Sequence, residues 1–256
     1  MRIRQHHIAL HGVIFYCKSC PLPPSLWRQS SLTSPLVVFD LDGTLIDTAP
    51  DLVASLNHTI AILGLAPVGY EDLTYLVGHG AKTMIERACK LGGYELTEEA
   101  LPPLLERFIA FYSDGMPGES KPYPGLVAAL ERLQGVGFKL AVCTNKMEGL
   151  AIPLLKKLGL DGYFAAITGG DTFAVRKPDG DHVLGTIARA GGDPERSVMI
   201  GDSINDILSA RNAGVPSIAV PFGYSDVDVA TLDPSHIINH FDELIPELVE
   251  RLIARG

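Results

Sequence analysis

The sequence predicts an α/β protein whose core is a doubly wound, Rossmann-like parallel sheet, with a small α-helical cap domain inserted into it. Three observations support this fold class. Short apolar runs recur along the chain, amphipathic helical stretches alternate with most of them, and one long interval after the first run holds several helical stretches without a clear strand. Since a crossover between parallel strands needs only one helix, the surplus helices indicate an inserted module.

Six runs have the composition of strands. They occupy residues 36–39, 138–143, 164–168, 197–200, 217–220 and 236–239. The first five are unbroken by charge except at Lys139, which is typical of parallel strands that are covered on both faces. Helices are expected between them at residues 125–133, 150–158, 182–190 and 206–213. The last two end before Gly191 and Gly214, which favour C-terminal caps.

The long interval defines the expected domain boundaries. Residues 36–50 and 119–256 are predicted to form the α/β core, and residues 51–118 the helical cap. Amphipathic patterns predict the helices of the cap near residues 51–63, 81–91 and 98–112.

Residues 1–35 differ in composition from the rest of the chain. They contain no acidic residue, and prolines interrupt any periodicity, so we expect a poorly ordered N-terminal extension. A zinc site formed by Cys17 and Cys20 with upstream histidines is an alternative, but no second spaced pair of ligands is present. A targeting peptide is a further alternative for this basic, acid-poor segment.

Composition and charge restrict the partners. The 256 residues carry 21 basic and 30 acidic side chains, a net charge of -9, which argues against a nucleic-acid or anionic-membrane surface as the main partner. No apolar run approaches the ~18 residues of a membrane span. The four cysteines fit a reducing compartment better than a disulfide framework, so we expect the cytoplasm. The sequence does not indicate the oligomeric state.

Two aspartates follow the first predicted strand in the stretch "LVVFDLDGTLID". Asp40 and Asp42 stand where ligands bind in an open parallel sheet, beyond the carboxyl ends of its strands. Two neighbouring carboxylates repel each other unless a cation or a proton offsets their charge, which indicates a metal site. Gly43 allows a tight turn that exposes backbone amides, and is a candidate for binding phosphate. A calcium loop is excluded because Leu45 stands where that loop requires glycine.

Three further strand ends carry polar residues. Thr144 and Asn145 offer a hydroxyl and an amide suited to holding phosphate oxygens. Lys177 can reach the same crevice as a point charge, and Asp202 and Asp206 follow the fourth predicted strand. Each short motif has a high false-positive risk by itself. Four sets in this order, all at carboxyl ends of strands, predict one functional site.

These motifs resemble the haloacid dehalogenase superfamily, in its magnesium-dependent phosphatase branch. The resemblance covers residues 36–225. Within the superfamily, the stretches "YPGLVAALERLQGVGFKLAVCTNK", "GGDTFAVRKPDG" and "MIGDSINDILSARNAGVPSIAV" are most similar to the bacterial phosphoglycolate phosphatases. The resemblance implies Mg²⁺ as the cofactor, a small phosphorylated metabolite as the substrate, and a small helical cap.

The resemblance also implies a role for each strand-end residue. Asp40 would be the nucleophile that forms an aspartyl-phosphate, and Asp42 would be the general acid and base. Mg²⁺ would be held by the carboxylates of Asp40 and Asp202 and by the backbone carbonyl of Asp42. The phosphoryl oxygens would be bound by three side chains, those of Thr144, Asn145 and Lys177. Asp206 would lie in the outer shell of the metal site or orient Lys177, and an acid favoured by the helix dipole is the alternative.

The resemblance further implies that the predicted cap selects the substrate, and His79, Lys82 or Arg87 in "LVGHGAKTMIERA" could supply a cation for a substrate carboxylate. A solvated helix face is the alternative for each of them. Other reactions of the superfamily remain open: hydrolysis of a sugar phosphate, an amino-sugar phosphate or pyrophosphate, a sugar-phosphate mutase, or a phosphonate hydrolase with Lys82 or Lys90 as a Schiff base. A non-catalytic binding protein is disfavoured because the nucleophile and the metal carboxylates are all present.

Overall fold

The computed structural model describes residues 33–69, 72, 76 and 80–255. The strands within them are β1 (Leu36–Phe39), β2 (Ile46–Asp47), β3 (Lys121–Pro122), β4 (Lys139–Cys143), β5 (Ala166–Thr168), β6 (Ser197–Gly201), β7 (Ser217–Ala219) and β8 (His236–Ile237). Six of these strands form a parallel sheet in the order β5-β4-β1-β6-β7-β8, and β2 pairs with β3 in antiparallel fashion. The chain winds outward from β1 in both directions, so a ligand crevice is expected beyond the carboxyl ends of β1 and β6.

β1 lies in the interior of the parallel sheet and pairs along its whole length with β4 and β6. All four of its residues are fully buried. Val37 and Phe39 pack into one apolar cluster, and Leu36 and Val38 pack into another. Because successive side chains of a strand point to opposite faces, apolar side chains cover both faces of the sheet. Asp40 is the first residue beyond this buried strand.

The helices of the described residues are α1 (Ala49–Ile60), α2 (Ala81–Leu91), α3 (Leu101–Gly115), α4 (Leu126–Gly135), α5 (Glu148–Lys157), α6 (Gly180–Arg189), α7 (Ile204–Asn212) and α8 (Pro246–Ile253). The first three pack on one another in the interval between β2 and β3. In α3, the buried residues Leu104, Phe108 and Tyr112 recur every four positions and therefore form one face of the helix.

The predicted fold class is confirmed. β1 has the predicted bounds, and the other five strands of the large sheet begin and end within two residues of the prediction. The β2–β3 pair was not predicted, because each strand has only two residues and its partner lies on the far side of the helical interval. Strands this short carry no periodicity that a sequence pattern could reveal.

The division into a core and a separate cap at residues 51–118 stays a prediction. Residues 1–32 of the predicted N-terminal extension (1–35), which include its alternative zinc site, lie outside the described residues, so these two interpretations stay predictions. None of the helices in the described segments combines the length and the apolar composition of a membrane-spanning helix.

Candidate active site

Three aspartates meet beyond the carboxyl ends of β1 and β6. Asp40 directly follows β1, Asp202 directly follows β6, and Asp206 lies in the first turn of α7. A carboxylate oxygen from each lies within 4.8 Å of one from each of the others, and all three residues are buried. The structure therefore brings together three of the predicted site residues from distant parts of the chain.

Lys177 places an ammonium group against this cluster. It lies in the loop between β5 and α6, and its Nζ donates to Oδ1 of Asp40 and to Oδ1 of Asp206, each at 2.6 Å. Burial is the largest influence on the pKa of Lys177 and lowers it, but the carboxylates of Asp206 and Asp40 outweigh burial and raise the pKa above its usual value. Lys177 is therefore charged at neutral pH.

One ammonium group does not balance three buried carboxylates. Burial raises the pKa of Asp40 to about 7; Lys177 opposes this shift and Asp206 adds to it. Burial, followed by the charges of Asp206 and Asp40, raises the pKa of Asp202 well above its usual value. Buried oxygen ligands with surplus negative charge suit a hard divalent cation. The residues present therefore fit a divalent metal ion.

The turn after Asp42 packs directly on Asp202. Gly43 has a φ of 84°, and a Cβ on this residue would lie 2.5 Å from Oδ2 of Asp202. Glycine is therefore required both for the left-handed backbone and for the close approach.

The N–H of Gly43 donates to the carbonyl of Ile46 at 2.9 Å. This corrects the prediction that the Gly43 amide is available to phosphate: its hydrogen bond is made within the turn.

Two hydrogen bonds fix the carboxylate of Asp202. The hydroxyl of Thr44 donates to Oδ1 at 2.9 Å, and the backbone N–H of Tyr224 donates to Oδ2 at 2.7 Å. The Tyr224 hydroxyl in turn donates to Asp47 at 2.6 Å, which ties the loop after β7 to the short strand β2. Asp202 is thus held in one orientation from both sides.

Lys146 holds the carboxylate of Asp42. Its Nζ donates to the two carboxylate oxygens at 2.9 and 3.2 Å, and the hydroxyl of Thr48 donates to Oδ1 at 2.7 Å. Burial lowers the pKa of Lys146, but the charge of Asp42 and the neighbouring Tyr112 raise it above its usual value. Lys146 was not predicted from the sequence, although it is the third polar residue in succession after β4 and that run was the available signal.

Thr144 and Asn145 lie at the end of β4, beside Lys177. The Thr144 hydroxyl accepts a hydrogen bond from the N–H of Lys146 at 3.1 Å. The side-chain amide of Asn145 donates to the carbonyl of Lys177 at 3.1 Å, while its buried Oδ1 has no hydrogen-bond partner among the described residues. Both side chains line the same cavity as Lys177.

Asp206 connects the aspartate cluster, formed by Asp40, Asp202 and Asp206, to the helix α7. Its Oδ2 accepts from the backbone N–H of Ser203 at 3.0 Å, which is the carboxylate half of a capping box, and also from the Ser203 hydroxyl at 2.6 Å. Its Oδ1 accepts from Lys177. The Asp206 side chain therefore both caps α7 and contacts Lys177. The sequence had given these two roles as alternatives.

A cavity of about 200 Å³ adjoins these groups. Four of its charged side chains lie in the loops that follow strands: Asp40, Asp42, Lys146 and Lys177. Most of its apolar side chains come from the first three helices and include Leu52, Met84, Leu105, Phe108 and Tyr112. The cavity therefore joins a polar reaction centre to a mainly apolar wall, as is usual for small-molecule sites.

The two predicted cap cations within the described residues, Lys82 and Arg87, differ in their relation to this cavity. Lys82 lines it, although its ammonium also lies 3.8 Å from Glu86. Arg87, on the same helix, is not among the described residues that line it. His79 lies outside the described residues.

Comparisons with known proteins agree with the fold and with the family resemblance. A family model described as haloacid dehalogenase-like hydrolase matches residues 37–220. A phosphoglycolate phosphatase of Agrobacterium fabrum is 63% identical over 223 residues, covering 87% of this chain and 96% of the relative. One from Mesorhizobium japonicum is 50% identical over 222 residues, covering 87% of this chain and 98% of the relative.

A solved structure has the same architecture. The crystal structure of a predicted phosphoglycolate phosphatase from Haemophilus somnus 129pt superposes with a TM-score of 0.77 at 30% identity, covering 82% of this chain and 96% of that chain. The resemblance inferred from the sequence motifs is confirmed by the family match, the relatives and the fold. The chain belongs to the haloacid dehalogenase-like hydrolase family.

Proposed function

We propose that this chain is a magnesium-dependent phosphatase that hydrolyses 2-phosphoglycolate to glycolate and phosphate through an aspartyl-phosphate on Asp40. The observation that carries the proposal is the cluster of Asp40, Asp202 and Asp206, with the ammonium of Lys177 paired to Asp40 and Asp206, beside a cavity of about 200 Å³. The names of the two bacterial relatives supply the substrate. A cavity of this volume suits a small phosphorylated metabolite.

Asp40 and Asp202 would hold Mg²⁺ through their carboxylates, with the backbone carbonyl of Asp42 as a further ligand. When bound, the ion supplies positive charge that lets an anionic phosphate approach an anionic nucleophile. The hydrogen bonds from Thr44 and Tyr224 keep the Asp202 carboxylate directed for this role.

Asp40 and Asp42 divide the chemistry between them. A carboxylate oxygen of Asp40 attacks phosphorus, and the bond from phosphorus to the ester oxygen breaks as the new bond forms. Asp42 donates its proton to the departing ester oxygen, so glycolate leaves as the alcohol. Asp42 then takes a proton from a water molecule whose oxygen attacks phosphorus and displaces Asp40. Phosphate leaves, and both aspartates return to their initial states.

Three side chains would bind the phosphoryl oxygens during both steps. The ammonium of Lys177 is already 2.6 Å from the proposed nucleophile Asp40, so it lies where negative charge develops. The hydroxyl of Thr144 and the amide of Asn145 line the cavity beside it. Positioning and electrostatic stabilisation contribute most of the catalysis in phosphoryl transfer, which is why these groups are expected to affect kcat.

The location of the enzyme and the class of its partner are part of the proposal. We keep the cytoplasm as the expected location, and the net charge of -9 supports a small metabolite rather than nucleic acid as the partner. A sugar-phosphate mutase, a phosphonate hydrolase and a phosphatase for another ester would use the same nucleophile, so turnover of defined substrates must separate them.

The test is phosphate release from a set of substrates, measured with Mg²⁺ and after chelation. The set contains 2-phosphoglycolate, glycerol phosphates, sugar phosphates and pyrophosphate. We expect strong selectivity for 2-phosphoglycolate that disappears on chelation and returns when Mg²⁺ is added. Magnesium-dependent release from another ester would overturn the substrate, and activity that persists without a divalent metal would overturn the mechanism.

A further inference from the structure

Lys146 is a buried cation that the proposed mechanism leaves without a role. It follows Asn145 in the loop after β4, it is 7% exposed, and its side chain lines the cavity. Its Nζ lies 2.9 and 3.2 Å from the two carboxylate oxygens of Asp42 and 4.3 Å from the centre of the Tyr112 ring. The ammonium therefore contacts both the proposed acid and base and the aromatic part of the cavity wall.

The leaving group of 2-phosphoglycolate imposes a charge requirement at Asp42. Its carboxylate is attached to the carbon that bears the ester oxygen. If Asp42 protonates that oxygen, the carboxylate of the substrate lies within about 5 Å of the Asp42 carboxyl group. Once the proton has moved, both groups are ionised and repel each other unless a cation offsets the charge. The proposed reaction therefore requires a positive charge beside Asp42.

The other cations of the cavity are less suited to this position. Lys177 is already paired with two carboxylates at 2.6 Å, those of Asp40 and Asp206. The side chain of Lys82 is 58% exposed, so water screens its charge. Arg176 also lines the cavity but is an exposed residue.

Lys146 meets the requirement. An ammonium has three N–H donors, and the two contacts with Asp42 leave at least one of them for a further acceptor. Because Lys146 is buried, its attraction for a second carboxylate is screened less than at an exposed residue. The apolar side chains of Leu52, Met84 and Phe108 line the same cavity and offer no partners to the hydroxyl groups of a sugar.

We propose that Lys146 determines substrate specificity: its ammonium binds the carboxylate of a small phosphorylated acid while it holds Asp42 in position. The inference rests on the proposed function. It moves the contact with the substrate carboxylate from the predicted cap cations Lys82 and Arg87 to the loop after β4. An ester without a carboxylate gains nothing from this contact.

The test compares two esters of similar size, 2-phosphoglycolate and ethyl phosphate, which has a methyl group in place of the carboxylate. Their kcat and KM are measured for the wild-type chain, for Lys146→Met, and for Lys156→Met as a control on an exposed residue of α5. Lys146→Met is expected to lower kcat/KM for 2-phosphoglycolate at least about 100-fold more than for ethyl phosphate, with most of the difference in KM. The control variant is expected to behave as wild type with both esters.

Equal losses with both esters would overturn the inference, because Lys146 would then act on Asp42 alone. Circular dichroism and thermal unfolding check that the variant is folded. If Lys146→Met does not fold, Lys146→Gln, which keeps a hydrogen-bond donor for Asp42, is used in the same comparison. A wild-type chain that does not prefer 2-phosphoglycolate to ethyl phosphate would remove the proposed substrate, whereas a preference retained in the Lys146 variants would remove only the role of Lys146.

Discussion

The Nζ of Lys177 lies 2.6 Å from Oδ1 of Asp206, and the same ammonium lies 2.6 Å from Oδ1 of Asp40. One positive charge thus holds two carboxylates that come from distant parts of the sequence. The geometry links stability to function, because the group proposed to bind the phosphoryl oxygens also offsets the repulsion within the aspartate cluster.

Lys177→Met should therefore affect both properties. Removing one partner of a buried ion pair is expected to destabilise the metal-free protein by about 3–5 kcal/mol. We also expect kcat to fall about 10²–10³-fold, since a donor to the phosphoryl group is lost. Urea unfolding with and without Mg²⁺ measures the first effect, and Mg²⁺ should stabilise the variant more than the wild type. Unchanged stability in chelator would show that Lys177 is not the counter-ion of the cluster.

Gly43→Ala should abolish activity for a steric reason. Alanine at φ 84° is strained by about 1–2 kcal/mol, and its Cβ would also collide with the Asp202 carboxylate. Gly64→Ala is the matched control, because Gly64 has a φ of 73° but nothing within 4 Å of the added Cβ. We expect phosphate release to fall at least about 100-fold in the first variant and to stay unchanged in the second. Comparable losses in the two variants would mean that backbone strain, rather than contact with Asp202, is responsible.

Magnesium should stabilise the folded protein through the aspartate cluster. A ligand at 100 times its dissociation constant stabilises the folded state by about 2.7 kcal/mol, so adding Mg²⁺ to chelated protein should raise Tm by several degrees. Asp202→Asn should reduce or remove this shift. Differential scanning calorimetry provides the measurement, and an equal Mg²⁺-dependent shift in wild type and variant would exclude Asp202 as a ligand.

His182 should make the stability of the fold depend on pH. Its Nδ1 accepts from the N–H of Lys177 at 3.2 Å, and burial, followed by the charge of Lys177, lowers its pKa from 6.5 to about 4. Between these values the unfolded imidazole binds a proton and the folded one does not, so the contribution of His182 to stability should decrease as the pH falls from 6.5 to 4 and be constant above that window.

The contribution of His182 is isolated by comparison with His182→Asn. Urea midpoints of both proteins are measured in chelator between pH 4 and 8, so that the carboxylates titrate equally in the two. Between pH 6.5 and 4, the loss in the free energy of unfolding should be smaller in His182→Asn than in the wild type by an amount on the order of 2 kcal/mol. Parallel pH profiles for the two proteins would mean that His182 is not held neutral by the fold.

The sequence predicted the features that depend on local patterns of apolar and polar residues. The apolar run ending at Phe39 predicted β1 with its observed bounds, and the rule that ligands bind beyond parallel strands predicted that Asp40 and Asp202 would meet. Strands that are buried on both faces can be recognised in a sequence, because they form nearly continuous apolar runs.

Features that depend on side-chain contacts between distant segments were not predictable. Lys146 follows Asn145 in the sequence, but only the packing of the loop after β4 against Asp42 shows that it pairs with the proposed acid. The N–H of Gly43 was expected to be free, and the turn in which Ile46 accepts from it is visible only in three dimensions. Sequence patterns report the periodicity of burial, whereas these contacts follow from tertiary geometry.

The most direct measurement is phosphate release from 2-phosphoglycolate by Asp40→Asn in the presence of Mg²⁺, beside Asp114→Asn as a control on an exposed residue of α3. Asparagine keeps the size of the side chain but cannot act as the carboxylate nucleophile. We predict a loss of at least about 10⁴-fold in kcat for Asp40→Asn, an unchanged circular dichroism spectrum, and wild-type activity for Asp114→Asn. Substantial phosphate release by folded Asp40→Asn would contradict the assignment of Asp40 as the nucleophile.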